Sequence, residues 1–142
     1  MMKSTELPPY ARAMGMEFAP EFAPEFADAA DGSPVIAMDF AQRAMGRPGF
    51  IHGGAIGGLL EMAGFTALEA ELERQGVEVR IKPINISVEY LRAGLPQRIF
   101  ARGEVVRAGR RVANVRIDAW QSDRARPVAS CWMNFQLSPK KP

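Results

Sequence analysis

The spacing of apolar and polar residues divides the chain into segments of different period. Asp31-Gly32-Ser33-Pro34 is a turn signal, and Val35 to Phe40 after it reads as a short strand. Gly46-Arg47-Pro48-Gly49 is a second turn, leading into Phe50-Ile51-His52. From about Gly54 to Arg74 the period becomes helical. Ile56, Leu60, Ala63 and Ala67 share one face at spacings of three and four, and Leu59 and Met62 widen it. Glu69, Glu71, Glu73 and Arg74 suggest an end nearer solvent, and Gly76 suits a C-terminal stop. Beyond Gly76 the period is two. Ile84, Ile86, Val88 and Tyr90 alternate with Asn85, Ser87 and Glu89. A segment from Arg98 to Arg107 and the turn Ala108-Gly109-Arg110 follow, then Ala113, Val115, Ile117 and Ala119 on one face. Ala129, Cys131, Met133, Phe135 and Leu137 form the last alternating run.

The order is strand, long helix, then four strands with short connections, an α+β pattern. One mostly apolar helix and one antiparallel sheet must bury each other, so the sheet is expected to curl around the helix. Gly57, Gly58 and Gly64 each cost about 1 kcal/mol relative to alanine in a helix. A close approach of the helix backbone to the sheet or to a ligand would explain them. Five short strands leave open edges, which invite pairing with a second subunit.

Residues 1–32 show no period and read as an irregular segment packed on the domain or on a dimer. They contain a repeated Ala-Pro-Glu-Phe unit through Phe18, Phe22 and Phe26. Whether these rings meet the core, a dimer surface or a ligand is open. Residues 33–138 form the single domain, and 139–142 read as a frayed tail.

Composition narrows the function classes. The 142 residues are 47% hydrophobic and 24% charged, the balance of one soluble globular domain. With 18 basic and 16 acidic residues the net charge is only +2. There is no basic run and no aromatic stripe to stack bases, which disfavours nucleic-acid binding. Cys131 is the single cysteine and lies in an apolar strand, as a core residue would. One histidine and no clustered carboxylates make a poor metal site, and no phosphate-binding loop or dinucleotide phrase occurs. No membrane-spanning run or signal peptide is evident, so a cytoplasmic location is expected.

The chemistry concentrates in Ile51-His52-Gly53-Gly54-Ala55-Ile56-Gly57-Gly58-Leu59-Leu60-Glu61-Met62-Ala63-Gly64. A loop histidine and a glutamate on a solvated helix strip are each ordinary. Their coincidence with a glycine-rich helix start is not. With the order of elements, His52-Gly53-Gly54 followed by Glu61 resembles the hotdog-fold acyl-CoA thioesterases of the phenylacetic-acid-degradation (PaaI-like) type. Ile86-Ser87-Val88-Glu89-Tyr90-Leu91-Arg92-Ala93-Gly94, Gly109-Arg110-Arg111-Val112-Ala113 and Val128-Ala129-Ser130 extend the resemblance over roughly residues 33–137. It implies a curved antiparallel sheet around a long central helix, and hydrolysis of an acyl- or aryl-acyl-CoA to free acid and CoA. The amide of Gly53 would polarise the thioester carbonyl, Glu61 would act as base or nucleophile, and His52 would shape the site. Gly46 stands where many relatives have asparagine. Asn85 or Ser87 would be the polar residue of the following strand, and Thr66, one position off the family pattern, a helper for the water.

These roles agree with the residues' own chemistry. A helix N-terminus offers unpaired amides and a positive dipole end to a developing oxyanion, and Gly53 or Gly54 leaves room for a substrate. Glu61 could take a proton from water or attack directly. His52 and Glu61 are nine residues apart, about 13 Å along a helix at roughly 1.5 Å per residue. Gly53 and Glu61 of one chain therefore cannot serve the same carbonyl, which makes a homodimer a chemical requirement and leaves a dimer of dimers open. Arg92, Arg110 and Arg111 are candidates for holding the phosphates of coenzyme A, which is substrate; no separate cofactor is expected. Two alternatives remain: an acyl-thioester hydratase or dehydratase of the same fold, and a non-catalytic acyl-CoA-binding homodimer.

Overall fold

The computed structural model describes residues 6–22 and 33–140. A short helix α1, Pro9–Ala13, precedes strand β1, Met16–Phe18, and a 3-10 turn at Pro20–Phe22. Strand β2, Val35–Met38, leads through a second 3-10 turn, Gln42–Ala44, to the long helix α2, Gly53–Gln75. Strands β3 (Val79–Tyr90), β4 (Ile99–Ala108), β5 (Val112–Trp120) and β6 (Ala129–Pro139) complete the chain. The strands form one antiparallel sheet in the order β1-β2-β4-β5-β6-β3. The helix packs against β2 through β6, so the sheet wraps it in the expected α+β hotdog arrangement.

The helix ends where its sequence says it should. Gly76 adopts φ 69°, in the left-handed region, while its amide bonds to Glu73 O and the Val77 amide to Leu72 O at 2.9 Å. These two bonds satisfy carbonyls that the last turn would otherwise leave open. Ile56, Leu59, Leu60, Ala63, Ala67, Leu68 and Leu72 are all buried, against Ala101, Val115, Ile117, Met133 and Phe135 of the sheet. Gly64 touches that layer directly. A Cβ there would come within 2.8 Å of the Met133 sulfur and 2.9 Å of Ile117 Cδ1. From the other side, a Cβ at Gly103 on β4 would lie 2.8 Å from Ala67 Cβ and 3.1 Å from Ala63 O.

Four expectations change. The sheet has six strands, because β1 pairs with β2 in the segment that shows no period. Three residues are too few to show alternation, yet Leu7, Ala11, Met16 and Ala19 are buried and fix this segment to the domain. The Phe22 ring packs edge-on against Phe100 and Trp120, with centroids 4.8 and 5.5 Å away, and Phe18 packs on the main core. Both therefore serve packing, while Phe26 lies outside the described residues. Strand β3 begins at Val79, earlier than the alternation suggests, because a bulge between Pro83 and Asn85 inserts Ile84 and breaks the period. Strand β6 runs on to Pro139, the first residue of the expected tail. Finally, Glu69 and Glu71 do not mark a solvated helix end. Both are buried, and Glu71 accepts from Arg74 Nε at 2.9 Å and Gln75 Nε2 at 3.2 Å. Among the described residues no helix is long and apolar enough to cross a membrane.

Loss of water around Glu69, with the Glu73 carboxylate as a second cause, raises its pKa from 4.5 to about 7. The folded chain thus holds this proton more tightly than the unfolded chain. The stability it contributes is complete below pH 4.5 and is lost as pH rises through about 7. Glu69→Gln keeps the neutral shape at every pH. Denaturant titrations should find the variant more stable than wild type by on the order of 1–3 kcal/mol at pH 8, with the gap closing near pH 4.5.

Candidate active site

His52 is the N-cap of α2. Its Nδ1 accepts the Gly54 amide at 2.8 Å. The His52 carbonyl accepts the amides of Ala55 and Ile56 at 3.0 and 3.1 Å. Of the first-turn amides this leaves Gly53, for which the described residues supply no acceptor. The approach to the helix is fixed on both sides: the His52 amide donates to Ala44 O at 2.7 Å and the Ile51 amide to Gly94 O at 2.9 Å. Gly46 backs onto this cap. A Cβ at that position would lie 3.1 Å from His52 Cα and 3.3 Å from its Cβ. Here the loop closes on the place where a longer residue would leave the backbone.

Tyr90, the last residue of β3, lies across the helix start. Its hydroxyl donates to Gly53 O at 3.0 Å, and its ring is 3.6 Å from where a Gly53 Cβ would stand. A Cβ at Gly57 would lie 3.4 Å from the same hydroxyl. His52, Gly53 and Tyr90 border a cleft of about 280 Å³ with Gly46, Arg47, Phe50 and Arg92. The Arg47 guanidinium lies over the Phe50 ring, 4.6 Å from its centroid, and Arg92 Nη1 donates to Pro127 O at 2.7 Å.

Glu61 opens into a second cleft, of about 500 Å³, lined by Tyr10, Gly54, Gly57, Gly58, Met62, Ile86 and Val88. The side chain is half-buried and not on a solvated strip. The Cys131 thiol pKa is pushed up to about 12 by burial first, then by the Asp118 and Glu61 carboxylates. That thiol stays protonated at neutral pH, as a core residue should. Gly53 and Glu61 stand on one unbroken helix, eight residues and about 12 Å apart at roughly 1.5 Å per residue. One chain does not bring them together.

Other residues suggested by the sequence fall elsewhere. Asn85 and Ser87 lie on the outer face of the sheet, away from α2, because the inner face of β3 is set by Ile86 and Val88. Asn85 Oδ1 accepts from Asn134 Nδ2 at 2.8 Å, and Ser87 stands opposite Trp132. Thr66 is buried and donates its hydroxyl to Ala63 O at 3.1 Å, so it lines neither cleft. Arg110 and Arg111 border a separate cleft of about 650 Å³ with Arg107 and Asn114 at the β4–β5 hairpin. The adjoining Val112 pairs through Gln136 to Lys82, whereas Tyr90 pairs with Ala129. Eight residues of β3 separate the two ends, roughly 26 Å at about 3.3 Å per residue. Among the described residues no group of three or more metal-ligating side chains comes together. The sequence does not single out Tyr10 or Tyr90. Its indirect sign of them is the pair Gly57 and Gly58, which makes room for one ring each.

The thioesterase superfamily model matches residues 48–128, which hold the capped helix, Glu61, Tyr90 and Arg92. The chain belongs to the thioesterase superfamily. Among solved structures, this superfamily member is similar to a Chromobacterium violaceum protein at 35% identity, covering 94% of this chain and 85% of that one, with a TM-score of 0.68. A phenylacetic acid degradation-related protein from Ralstonia eutropha shares the fold at 21% identity, over 92% and 91% of the two chains and a TM-score of 0.73. A hypothetical thioesterase protein from Streptococcus pneumoniae, solved with coenzyme A, does so at 17% identity, over 77% and 83% and a TM-score of 0.64. No curated protein matches the chain.

His52→Ala removes the side-chain acceptor for the Gly54 amide. It should lower stability by about 0.5–2 kcal/mol, seen as a lower thermal midpoint, and His52→Asn should restore most of it.

Proposed function

We propose that this protein is an acyl-CoA thioesterase that acts as a homodimer. The observation that carries the proposal is the Gly53 amide at the N-terminus of α2, which finds no acceptor among the described residues, with the half-buried Glu61 eight residues along the same helix. The thioester oxygen would accept the Gly53 amide, whose donor is fixed in place and aided by the helix dipole. Glu61 of a second copy would take a proton from water as the oxygen of that water attacks the carbonyl carbon. Collapse of the tetrahedral intermediate breaks the carbon–sulfur bond, and the proton held by Glu61 passes to the departing CoA thiolate. Direct attack by Glu61, giving a mixed anhydride that water then opens, balances equally well.

Support for the dimer comes from β3, a twelve-residue edge strand with Ile84, Ile86 and Tyr90 exposed. Long apolar edges seldom stay open. A second β3 laid antiparallel against it would turn each helix N-terminus toward the middle of the other helix, where Glu61 stands. Support for a CoA thioester comes from the cations of the His52 cleft, Arg47 and Arg92, and from the coenzyme A bound in the Streptococcus pneumoniae relative. The hairpin arginines Arg107, Arg110 and Arg111 form a further anion-friendly surface.

One observation favours a second chemistry. The cap engages only Nδ1 of His52, and Nε2 could move a proton at the acyl chain, as a hydratase or dehydratase requires. A panel of short, long and aromatic acyl-CoAs separates the readings. Glu61→Ala should lower hydrolysis by about 10²- to 10⁴-fold, while His52→Ala loses no more than about tenfold. A loss with His52→Ala as large as with Glu61→Ala would favour the hydratase reading. Tight binding without turnover of any panel member would leave a binding protein.

A further inference from the structure

Tyr10 belongs to a segment with no recognisable pattern, yet its ring forms a wall of the Glu61 cleft. Its backbone is held firmly. Pro9 stands in the first turn of α1, and Leu7 and Ala11 on either side of Tyr10 are buried. The ring itself is about half exposed, at 47%. It meets α2 at Gly58, where a Cβ would overlap the Tyr10 hydroxyl and stand 3.1 Å from Cε2 and Cζ. Gly58 and Tyr10 are thus a fitted pair, which explains a glycine that costs the helix about 1 kcal/mol.

The cleft they bound is chemically one-sided. Gly54, Gly57 and Gly58 leave one face of α2 bare up to Glu61, and Met62, Ile86 and Val88 supply apolar walls. Its polar side-chain groups are the Glu61 carboxylate and the Tyr10 hydroxyl. The cleft at the helix start instead carries Arg47, His52 and Arg92. A thioester joins an apolar acyl group to a polar, phosphorylated carrier. The cationic cleft suits the carrier, and the apolar one suits the acyl group. We infer that Tyr10 is the specificity-determining wall of the acyl pocket and sets the longest chain the protein accepts. The inference rests on the acyl-CoA thioesterase reading and deepens it.

The test uses the full-length protein and saturated acyl-CoAs of increasing chain length, with non-hydrolysable thioether analogues of the same lengths for calorimetric binding. Tyr10→Ala should shift the chain length at which kcat/KM falls toward longer substrates. For the first chain that wild type rejects, kcat/KM and affinity should rise about tenfold or more. Tyr10→Trp should shift the limit toward shorter chains. Gly58→Ala displaces the ring and should also alter the profile, but in a Tyr10→Ala background this effect should vanish, which a general loss of packing would not produce. A proportional change at all chain lengths, or an unchanged limit in Tyr10→Ala and Tyr10→Trp, would overturn the inference. Failure of the thioesterase reading looks different: no Glu61-dependent hydrolysis by wild type, with the analogue-binding profile still reporting on Tyr10.

Discussion

The closeness of α2 to the sheet governs the rest of this molecule. At Gly64 the helix backbone touches the Ile117 and Met133 side chains, and at Gly103 the sheet backbone reaches the helix at Ala63 and Ala67. Glycine on each side lets the two layers pack without an intervening Cβ. Protein interiors resist even small changes in volume, so these contacts fix the height and rotation of the helix over the strands. Once the helix is fixed, its N-terminus must emerge beside Tyr90 and Arg92, and Glu61 must face Ile86 and Val88. The position of the chemical groups is thus a consequence of packing several turns away.

The glycines of α2 follow a division of labour that their shared cost conceals. Gly64 serves the sheet. Gly57 and Gly58 serve tyrosines, from β3 and α1 respectively, and Gly53 exposes an amide. The tyrosines restore to the helix surface the bulk that the glycines remove, but they bring it from elements far apart in sequence. The two clefts flanking the helix start therefore differ in character although one helix borders both. One holds arginines and a histidine; the other holds a single carboxylate in apolar surroundings.

Much of this was legible in the chain. The helical period from Ile56 to Ala67 locates α2, and the alternations around Val115 and Met133 locate β5 and β6 with the correct inner faces. Asn85 and Ser87, the polar candidates on the strand after the helix, do not line the Glu61 cleft. Alternation itself, read from Ile86 and Val88, sends them to the outer face. Arg110 and Arg111, also candidates for the coenzyme A phosphates, stand at the opposite end of the sheet from Tyr90, which no local pattern records. Glu69 and Glu71 read as solvent-facing because charge normally is, while the fold leaves both buried.

The sequence by itself determined the long helix with its glycine-rich start, the strands that follow it and the α+β class, because these rest on local period. It also determined that Gly53 and Glu61 lie too far apart to share a carbonyl, because helical rise is a local property independent of packing. Only the tertiary structure decided that the described residues offer the Gly53 amide no acceptor, that Tyr90 ties down the carbonyl of the same residue, and that Tyr10 borders the Glu61 cleft. Those contacts join residues 37 to about 50 positions apart, across elements whose relative placement depends on how the layers pack. Local period carries no record of such distances.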